Sequence, residues 1–275
     1  MAEFEHLYER MLRKDVRSMW CPGCGNGIVL QALIRAVDAA GLDQNMVVVV
    51  SGIGCSSRGN GYLDVCGLHT NHGRAVAYAT GVKLYNPDLH VIVLTGDGDC
   101  VSIGGNHFIH GARRNIDMTV IVFNNLNYGM TGGQYSPTTP LGDITKTSVY
   151  GNIEPNFDIC KLAESAGATY VARSTTYHAQ QLSRYIRNGI QHKGFSVVEA
   201  MCDCPTLYGR LNHKGNAAQM LMRWKNLTVS SEAARCMPPE EREEKVIIGE
   251  FVKRSDRREY AESYDSVIQK ARKER

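Results

Sequence analysis

Short runs of apolar, mostly β-branched residues alternate along this chain with stretches of helical spacing. Three runs end in glycine or asparagine and predict strands buried on both faces of a sheet, at residues 46–55, 90–99 and 118–125. The flanking stretches repeat apolar residues every three to four positions and predict helices, at residues 27–41, 74–84 and 103–114. The alternation predicts an α/β fold, a parallel sheet flanked by helices.

The same alternation continues in the second half of the chain. We expect helices at 157–167 and 178–192, and strands at 169–173 and 195–200. Residues 126–150 separate the two halves as a Gly/Thr/Pro-rich loop without periodicity. A loop of this length in a compact domain is usually functional or disordered.

The pattern fails after about residue 205. Residues 238–275 carry charges of alternating sign, with one apolar stretch at 246–252. We therefore predict a ligand-binding domain over residues 1–212 and an extended C-terminal tail over residues 213–275. This tail either wraps a partner or ends in a solvated helix.

Composition narrows the class of protein. The 275 residues include 31 Lys and Arg against 28 Asp and Glu, a net charge of +3, which gives no electrostatic basis for binding nucleic acid or an acidic membrane. No apolar run reaches the roughly 18 residues of a membrane span. The first residues lack the apolar core of a secretory signal. We expect a cytoplasmic protein.

Unusual residues follow three of the predicted strands, in Gly52–Cys55, Gly96–Asp99 and Asn124-Asn125. Ligands of open α/β sheets bind beyond the carboxyl ends of the strands, so these groups should share one site. Asp97 and Asn125 then face each other. One carboxylate with amide and backbone oxygens suits Mg²⁺, and the glycines let the backbone approach a diphosphate.

The spacing of these groups resembles that of thiamine diphosphate (ThDP) enzymes. Gly96-Asp97-Gly98, 25 residues, then Asn124-Asn125 is the pattern of the domain that binds the diphosphate. The resemblance implies that Asp97 and Asn125 bind Mg²⁺ through their side chains and that Asn127 adds its backbone carbonyl.

Nine cysteines cannot all pair within one chain. Cys21 and Cys24 form a C-x₂-C pair, which by itself suits zinc, a redox pair or an iron–sulfur cluster. No strand precedes the pair, which disfavours thioredoxin-like chemistry. Cys55 lies at a strand end, and Cys202 and Cys204 follow the last predicted strand, so four thiolates can converge near the diphosphate.

A longer resemblance covers roughly residues 18–212. The stretches CPGCGNG, SGIGCSSR, HGRAVAYATGVKL, GDGD, IGGNHFIHGARRN and NNLNYGMTGGQYSPTT resemble the β subunit of 2-oxoacid:ferredoxin oxidoreductases. The resemblance implies ThDP-dependent oxidative decarboxylation of a 2-oxoacid with coenzyme A to acyl-CoA and CO₂. Electrons would pass through a [4Fe–4S] cluster to ferredoxin, and the reaction could run in either direction.

The same family places the cluster on Cys21, Cys24, Cys55 and a distant fourth cysteine. The Cys204-Pro205-Thr206 context fits that position better than Cys202 does. The other five cysteines are expected to be small buried hydrophobes: Cys66, Cys100, Cys160, Cys202 and Cys236.

Further residues are assigned to the cofactor and the substrate. The cofactor set is Gly54, Cys55, Ser56, Ser57, Gly96, Asp97, Gly98, Asp99, Asn125, Tyr128, Gly129, Met130 and Thr131. We expect Arg58 to pair with a substrate carboxylate, which favours 2-oxoglutarate, although a solvated arginine is an equal alternative. His72 lies near cofactor or substrate, or makes a structural hydrogen bond. Pyruvate or a broad range of oxoacids remains the alternative specificity.

One expected element is missing from the chain. ThDP enzymes need a glutamate on the aminopyrimidine, which normally comes from a second domain. We therefore expect an obligate α subunit, in an αβ or (αβ)₂ assembly, with ferredoxin as electron acceptor. Two other classes stay open, a non-redox ThDP decarboxylase or synthase and a zinc-stabilised non-catalytic subunit.

Overall fold

The structure is a computed structural model that describes residues 2–274, and its centre is one sheet. Eight strands form this sheet within the described residues: β1 (Val47–Ser51), β2 (Cys66–His69), β3 (His90–Gly96), β4 (Met118–Asn124), β5 (Tyr170–Thr175), β6 (Phe195–Met201), β7 (Thr228–Ser230) and β8 (Val246–Lys253). Valine and isoleucine dominate the central strands because a pleated, doubly covered surface favours β-branched side chains.

Helices connect and cover the strands. They are α1 (Ala2–Met11), α2 (Asn26–Ala39), α3 (Arg58–Tyr62), α4 (Ala75–Tyr85), α5 (Gly105–Arg114), α6 (Ile159–Ala166), α7 (Ala179–Gln191), α8 (Ala217–Leu227), α9 (Ser231–Arg235), α10 (Pro239–Glu243) and α11 (Tyr260–Lys273). Short 3₁₀ or π turns lie at Gln44–Met46, Asp99–Ile103 and Pro205–Gly209.

The strand order places a ligand site between β1 and β3. The order is β2-β1-β3-β4-β6-β5-β8-β7, and the first six strands run parallel. The chain leaves β1 toward β2 and then returns to β3 on the other side. In open parallel sheets, a reversal of this kind opens a crevice at the carboxyl ends of the strands.

Two apolar layers lie on opposite faces of the sheet. Helices α1, α2 and α7 pack on one face, and α4, α5 and α6 pack on the other. Strand β4 contributes to both layers, with Ile121 and Phe123 facing one and Val120 and Val122 facing the other. Each such side chain contributes roughly 1.5–3 kcal/mol by leaving water, which fixes the strand ends that carry the site.

The structure confirms the mostly parallel α/β fold and adds strands at one edge of the sheet that the sequence did not predict. The apolar stretch 246–252 lies in β8, which pairs antiparallel with β5 and so belongs to the sheet rather than to an extended tail. The charged C-terminal helix is α11. The division at residue 212 stays a prediction. The long loop extends to residue 158 and is ordered by its own hydrogen bonds, such as Gly142 N–H to the Asn152 carbonyl at 2.7 Å.

Candidate functional site

One pocket opens at the carboxyl ends of β1, β3 and β4, at the reversal of strand order. It is lined by Ile53, Gly54, Cys55, Ser56, His72, Gly96, Asp97, Gly98, Asp99, Phe123, Asn125, Asn127, Tyr128, Gly129, Met130 and Thr131. The structure therefore brings together every residue of the predicted cofactor set except Ser57. Arg58 does not line the pocket and lies exposed in the first turn of α3.

Asp97 is buried at the base of this pocket. The hydroxyls of Ser136 and Thr138 both donate to its Oδ2 atom, each at 2.5 Å. Burial raises the pKa of Asp97 to about 6, although the two hydroxyls partly offset this effect. Sequence reasoning did not assign Ser136 or Thr138, and only the functional character expected of long loops pointed to this segment.

Asn125, Asn127 and Cys55 approach one another around Gly129. A Cβ atom at Gly129 would lie 3.5 Å from the Cys55 sulfur and 3.8 Å from both Asn125 Nδ2 and Asn127 Oδ1. The two side-chain polar atoms of Asn127 are buried and find no hydrogen-bond partner among the described residues. The same holds for the Ser57 hydroxyl. Buried polar groups are normally paired, so these atoms indicate a bound polar group.

Asp99 holds the wall of the pocket together. Its Oδ1 atom accepts hydrogen bonds from the backbone N–H of Gly73, at 2.7 Å, and from Nδ1 of His72. Its Oδ2 atom accepts from the Thr95 hydroxyl at 2.8 Å. Because both oxygens have protein partners, Asp99 positions His72 at the pocket wall. The structural hydrogen bond expected as one alternative for His72 is present, and its place near cofactor or substrate stays a prediction.

Gly98 leaves room for the Tyr128 side chain, which lies directly against it. A Cβ atom at Gly98 would lie 2.3 Å from the Tyr128 ring, whose hydroxyl donates to the Gly98 carbonyl at 3.2 Å. Gly54 adopts φ +119°, a conformation that other residues rarely adopt. These glycines keep the backbone close to the pocket and to the aromatic side chain that covers it.

Four thiols gather beside the pocket. Burial, together with the thiols of Cys204, Cys55 and Cys21, raises the pKa of Cys24 to about 12, although the backbone N–H of Asn26 partly offsets this effect. Burial also raises the pKa of Cys55 to about 11, with contributions from Cys204 and Cys21. The four predicted cluster ligands are therefore near enough to influence one another's charge, as Cys202 is to Cys24 and Cys204, and Cys55 belongs both to this group and to the pocket.

Cys202 differs from Cys204 in its surroundings. Cys202 is buried and its thiol contacts Oδ1 of Asn26 at 3.6 Å, whereas Cys204 is partly exposed. Cys100 and Cys160 are buried as expected. Cys66 and Cys236 are exposed, so the prediction that they are buried hydrophobes is wrong. Cys66 begins β2, the strand at one edge of the sheet, most of whose residues are exposed.

A second group of side chains that could bind a metal ion is paired with an arginine instead. Asp158, Cys160 and Glu199 lie within 4.8 Å of one another. The Arg173 guanidinium bonds to Glu199 at 2.6 Å and to Asp158 at 2.5 Å. This group is therefore an internal ion-pair network.

Comparison with known proteins decides the family. The family model for the thiamine pyrophosphate enzyme C-terminal TPP-binding domain matches residues 52–200, over half of the chain. A 2-oxoglutarate synthase subunit KorB from Methanocaldococcus jannaschii is 49% identical, over 98% of this chain and 100% of that protein. The corresponding Archaeoglobus fulgidus subunit is 59% identical, over 72% and 74% of the two chains. The chain belongs to the β subunits of the 2-oxoacid:ferredoxin oxidoreductases.

A solved structure supports this assignment. The 2-oxoglutarate:ferredoxin oxidoreductase from Magnetococcus marinus, with 2-oxoglutarate, coenzyme A and succinyl-CoA bound, has a TM-score of 0.84 and 32% identity. The match covers 94% of this chain and 89% of that chain. The recognition of the family from sequence is confirmed. An oxidoreductase subunit is favoured over a non-redox ThDP enzyme and over a zinc-stabilised non-catalytic subunit.

The TPP-binding family model covers only some of the candidate site residues of this β subunit. Residues 52–200 include Cys55, Asp97 and Asn125 but not Cys21, Cys24 or Cys204. The relatives extend the likeness over the whole chain. Within the described residues, no helix is both long and apolar enough to span a bilayer.

Proposed function

We propose that this β subunit forms the diphosphate half of the active site of a 2-oxoglutarate:ferredoxin oxidoreductase and holds one [4Fe–4S] cluster beside it. The observation that carries the proposal is the position of Cys55, which lines the pocket and lies among the four thiols. An electron donor bound in the pocket would therefore lie next to the electron acceptor.

The pocket residues fit Mg²⁺ and a diphosphate. Both hydroxyl donors of Asp97 bond to Oδ2, so its Oδ1 atom is the oxygen better placed to bind a cation. Asn125 contributes an amide oxygen, and Asn127 its backbone carbonyl, as hard divalent ions prefer. The unpaired Asn127 amide, which lines the pocket, offers a hydrogen bond to a phosphate oxygen. When bound, ThDP supplies the carbon nucleophile and electron sink for decarboxylation of a 2-oxoacid.

The four thiols fit an iron–sulfur cluster better than zinc. Thiolates around one zinc lie about 2.3 Å from the metal, which brings them within 4.8 Å of one another. Among the described residues, three ligand atoms reach that mutual distance only in the Asp158, Cys160 and Glu199 group. A polynuclear cluster holds its cysteines further apart. We assign Cys21, Cys24, Cys55 and Cys204 as its ligands, with ferredoxin as the acceptor of its electrons.

Arg58 suits a dicarboxylic substrate. It begins α3 directly after the Cys55–Ser57 segment, and its positive charge acts on the Cys55 thiol. An exposed guanidinium at this position can pair bidentately with the distal carboxylate of 2-oxoglutarate. The relatives named for 2-oxoglutarate support this substrate over pyruvate, with coenzyme A as co-substrate.

The chain supplies half of the site, and we propose that an α subunit completes it in an αβ or (αβ)₂ assembly in the cytoplasm. Apolar side chains at the pocket remain exposed in this subunit, with Ile53 44% and Met130 43% accessible. A partner subunit would cover them and provide the glutamate for the aminopyrimidine.

Paired substitutions in the anaerobically purified αβ complex test the proposal. Asp97→Asn keeps the shape of the side chain but removes the charge, so Mg²⁺-dependent ThDP binding should be lost, while Asp88→Asn on an exposed loop should not change it. Cys204→Ser should abolish the four-iron absorbance near 400 nm and Cys202→Ser should retain it. Full ThDP binding by Asp97→Asn, or an intact cluster in Cys204→Ser, would contradict the assignment.

A further inference from the structure

The segment that carries Cys202 and Cys204 is held from the C-terminal part of the chain. Asp203, between the two cysteines, is buried, and the indole Nε1–H of Trp224 donates to its Oδ1 at 3.0 Å and its Oδ2 at 3.2 Å. The hydroxyl of Thr176 donates to Oδ2 at 3.2 Å. Trp224 lies on α8 and is itself buried.

The C-x₂-C loop rests against the same two elements. The Gly25 N–H, one residue after Cys24, donates to the backbone carbonyl of Asp203 at 3.0 Å. A Cβ atom at Gly25 would lie 2.5 Å from the Asp203 nitrogen, and one at Gly23 would lie 2.3 Å from Cβ of Ala217, the first residue of α8. Only glycine permits these two approaches, so the loop and α8 are in direct contact.

We propose that Trp224 is a positioning residue for the cluster site and that α8 forms one of its walls. The backbone carbonyl of Asp203 accepts from Gly25 and its carboxylate accepts from Trp224, so the orientation of Asp203 is fixed. The backbone that carries the two neighbouring thiols is thereby fixed beside the C-x₂-C loop, with the buried Cys202 thiol on Asn26 Oδ1 at 3.6 Å and Cys204 partly exposed. The inference rests on the cluster proposed above and adds a residue from outside the cysteine set.

Trp224 contributes both a hydrogen bond and apolar packing, and a substitution can remove the first while keeping most of the second. Trp224 packs in a small apolar cluster with Leu126, Met201, Tyr208 and Met220. Phenylalanine keeps most of that packing but cannot donate to Asp203. A buried carboxylate that loses a donor rearranges or draws in water, because an unpaired buried charge is unfavourable. The backbone of Cys204 would then lose its fixed place beside the C-x₂-C loop.

The test compares three variants of the reconstituted αβ complex under anaerobic conditions. Trp224→Phe removes the indole donor, Thr176→Val removes the second donor to the same carboxylate, and Met118→Leu perturbs the apolar layer under α4, α5 and α6, to which neither Trp224 nor Cys204 belongs. The measurements are iron per complex, the midpoint of thermal unfolding, and the rate at which a chelator bleaches the absorbance near 400 nm well below that midpoint.

Loss of a hydrogen bond to a charged group should raise the bleaching rate of Trp224→Phe roughly tenfold or more. Thr176→Val should shift it in the same direction, and Met118→Leu should bleach at the wild-type rate despite any loss of thermal stability. If Trp224→Phe does not fold, Thr176→Val decides alone. Wild-type bleaching rates in both donor variants overturn the positioning role, whereas a wild-type complex without four-iron absorbance overturns the proposed function instead.

Discussion

Thr138 offers the most informative perturbation of the pocket. Its hydroxyl donates to Asp97 Oδ2 at 2.5 Å and lies 3.0 Å from Asn124 Oδ1. In Thr138→Val, Asn124 Oδ1 keeps the Leu126 N–H as a partner, at 3.1 Å, so the main loss falls on Asp97. The carboxylate keeps Ser136 but is no longer held from two sides.

The magnitude follows from the charge on Asp97. A hydrogen bond to a charged group contributes about 1.5–3 kcal/mol, and 1.4 kcal/mol corresponds to about a tenfold change in an equilibrium constant. If the two hydroxyls orient Asp97 for the cation, the Kd for Mg²⁺ in the presence of saturating ThDP should rise roughly 10- to 100-fold.

Isothermal titration of Mg²⁺ into the αβ complex measures this constant. Thr145→Val is a matched control because Thr145 is buried in the same loop and its hydroxyl bonds to Ser148, at 2.7 Å, rather than to Asp97. An unchanged or tighter Mg²⁺ Kd in Thr138→Val, relative to Thr145→Val, would refute the idea that this hydroxyl prepares Asp97 for the cation.

Three further variants test other parts of the account. Arg58→Ala should lower the preference for 2-oxoglutarate over pyruvate, measured as the ratio of kcat/KM values, by about tenfold or more, and an unchanged ratio would remove Arg58 from substrate recognition. Gly98→Ala would push a methyl group into the Tyr128 ring, so ThDP binding should weaken in a fluorescence titration; unaltered binding would show that the tyrosine moves freely. Lys83→Met removes the buried ion pair of Asp117 at 2.7 Å, leaves it only the exposed Lys193 at 3.3 Å, and should reduce the free energy of unfolding by up to ~3 kcal/mol at pH 7. Although burial acts to raise the pKa of Asp117, Lys83 lowers it below its usual value, so the wild-type advantage should be complete above about pH 4 and shrink as the pH falls through the lowered pKa. A wild-type advantage that is independent of pH would contradict this ion pair.

The strand ends of the site were predictable because periodicity determines them. Buried β-branched runs located β1, β3 and β4, and parallel pairing then brought Cys55, Asp97 and Asn125 to one edge. No long-range information was needed beyond the rule that ligands bind at the carboxyl ends of such strands.

The contacts that support the site depend on the path of irregular segments. Ser136 and Thr138 reach Asp97 from a loop with no periodicity, so neither their direction nor their partner follows from local sequence. Trp224 meets Asp203 only because α8 folds back over the C-x₂-C loop. The sequence shows a tryptophan and an aspartate between two cysteines, but nothing in it indicates that Trp224 and Asp203 form a pair.

Strand β8 was not predicted, for a similar reason. The apolar stretch 246–252 carries one glycine, Gly249 with φ +153°, and a register shift in its pairing with β5. These irregularities obscure the strand pattern, and an antiparallel strand added after a parallel series is not required by the preceding alternation. Its place in the sheet is set by burial of Ile248 and Val252.

Electron transfer from 2-oxoglutarate tests the central claim most directly. The co-expressed αβ complex, purified anaerobically and supplied with Mg²⁺, ThDP and coenzyme A, should reduce a viologen dye or ferredoxin when 2-oxoglutarate is added. It should contain about four irons for each β chain, and the β subunit alone should show no such activity. A colourless complex that binds ThDP but transfers no electrons from any 2-oxoacid, or an isolated β subunit with full activity, would contradict the account.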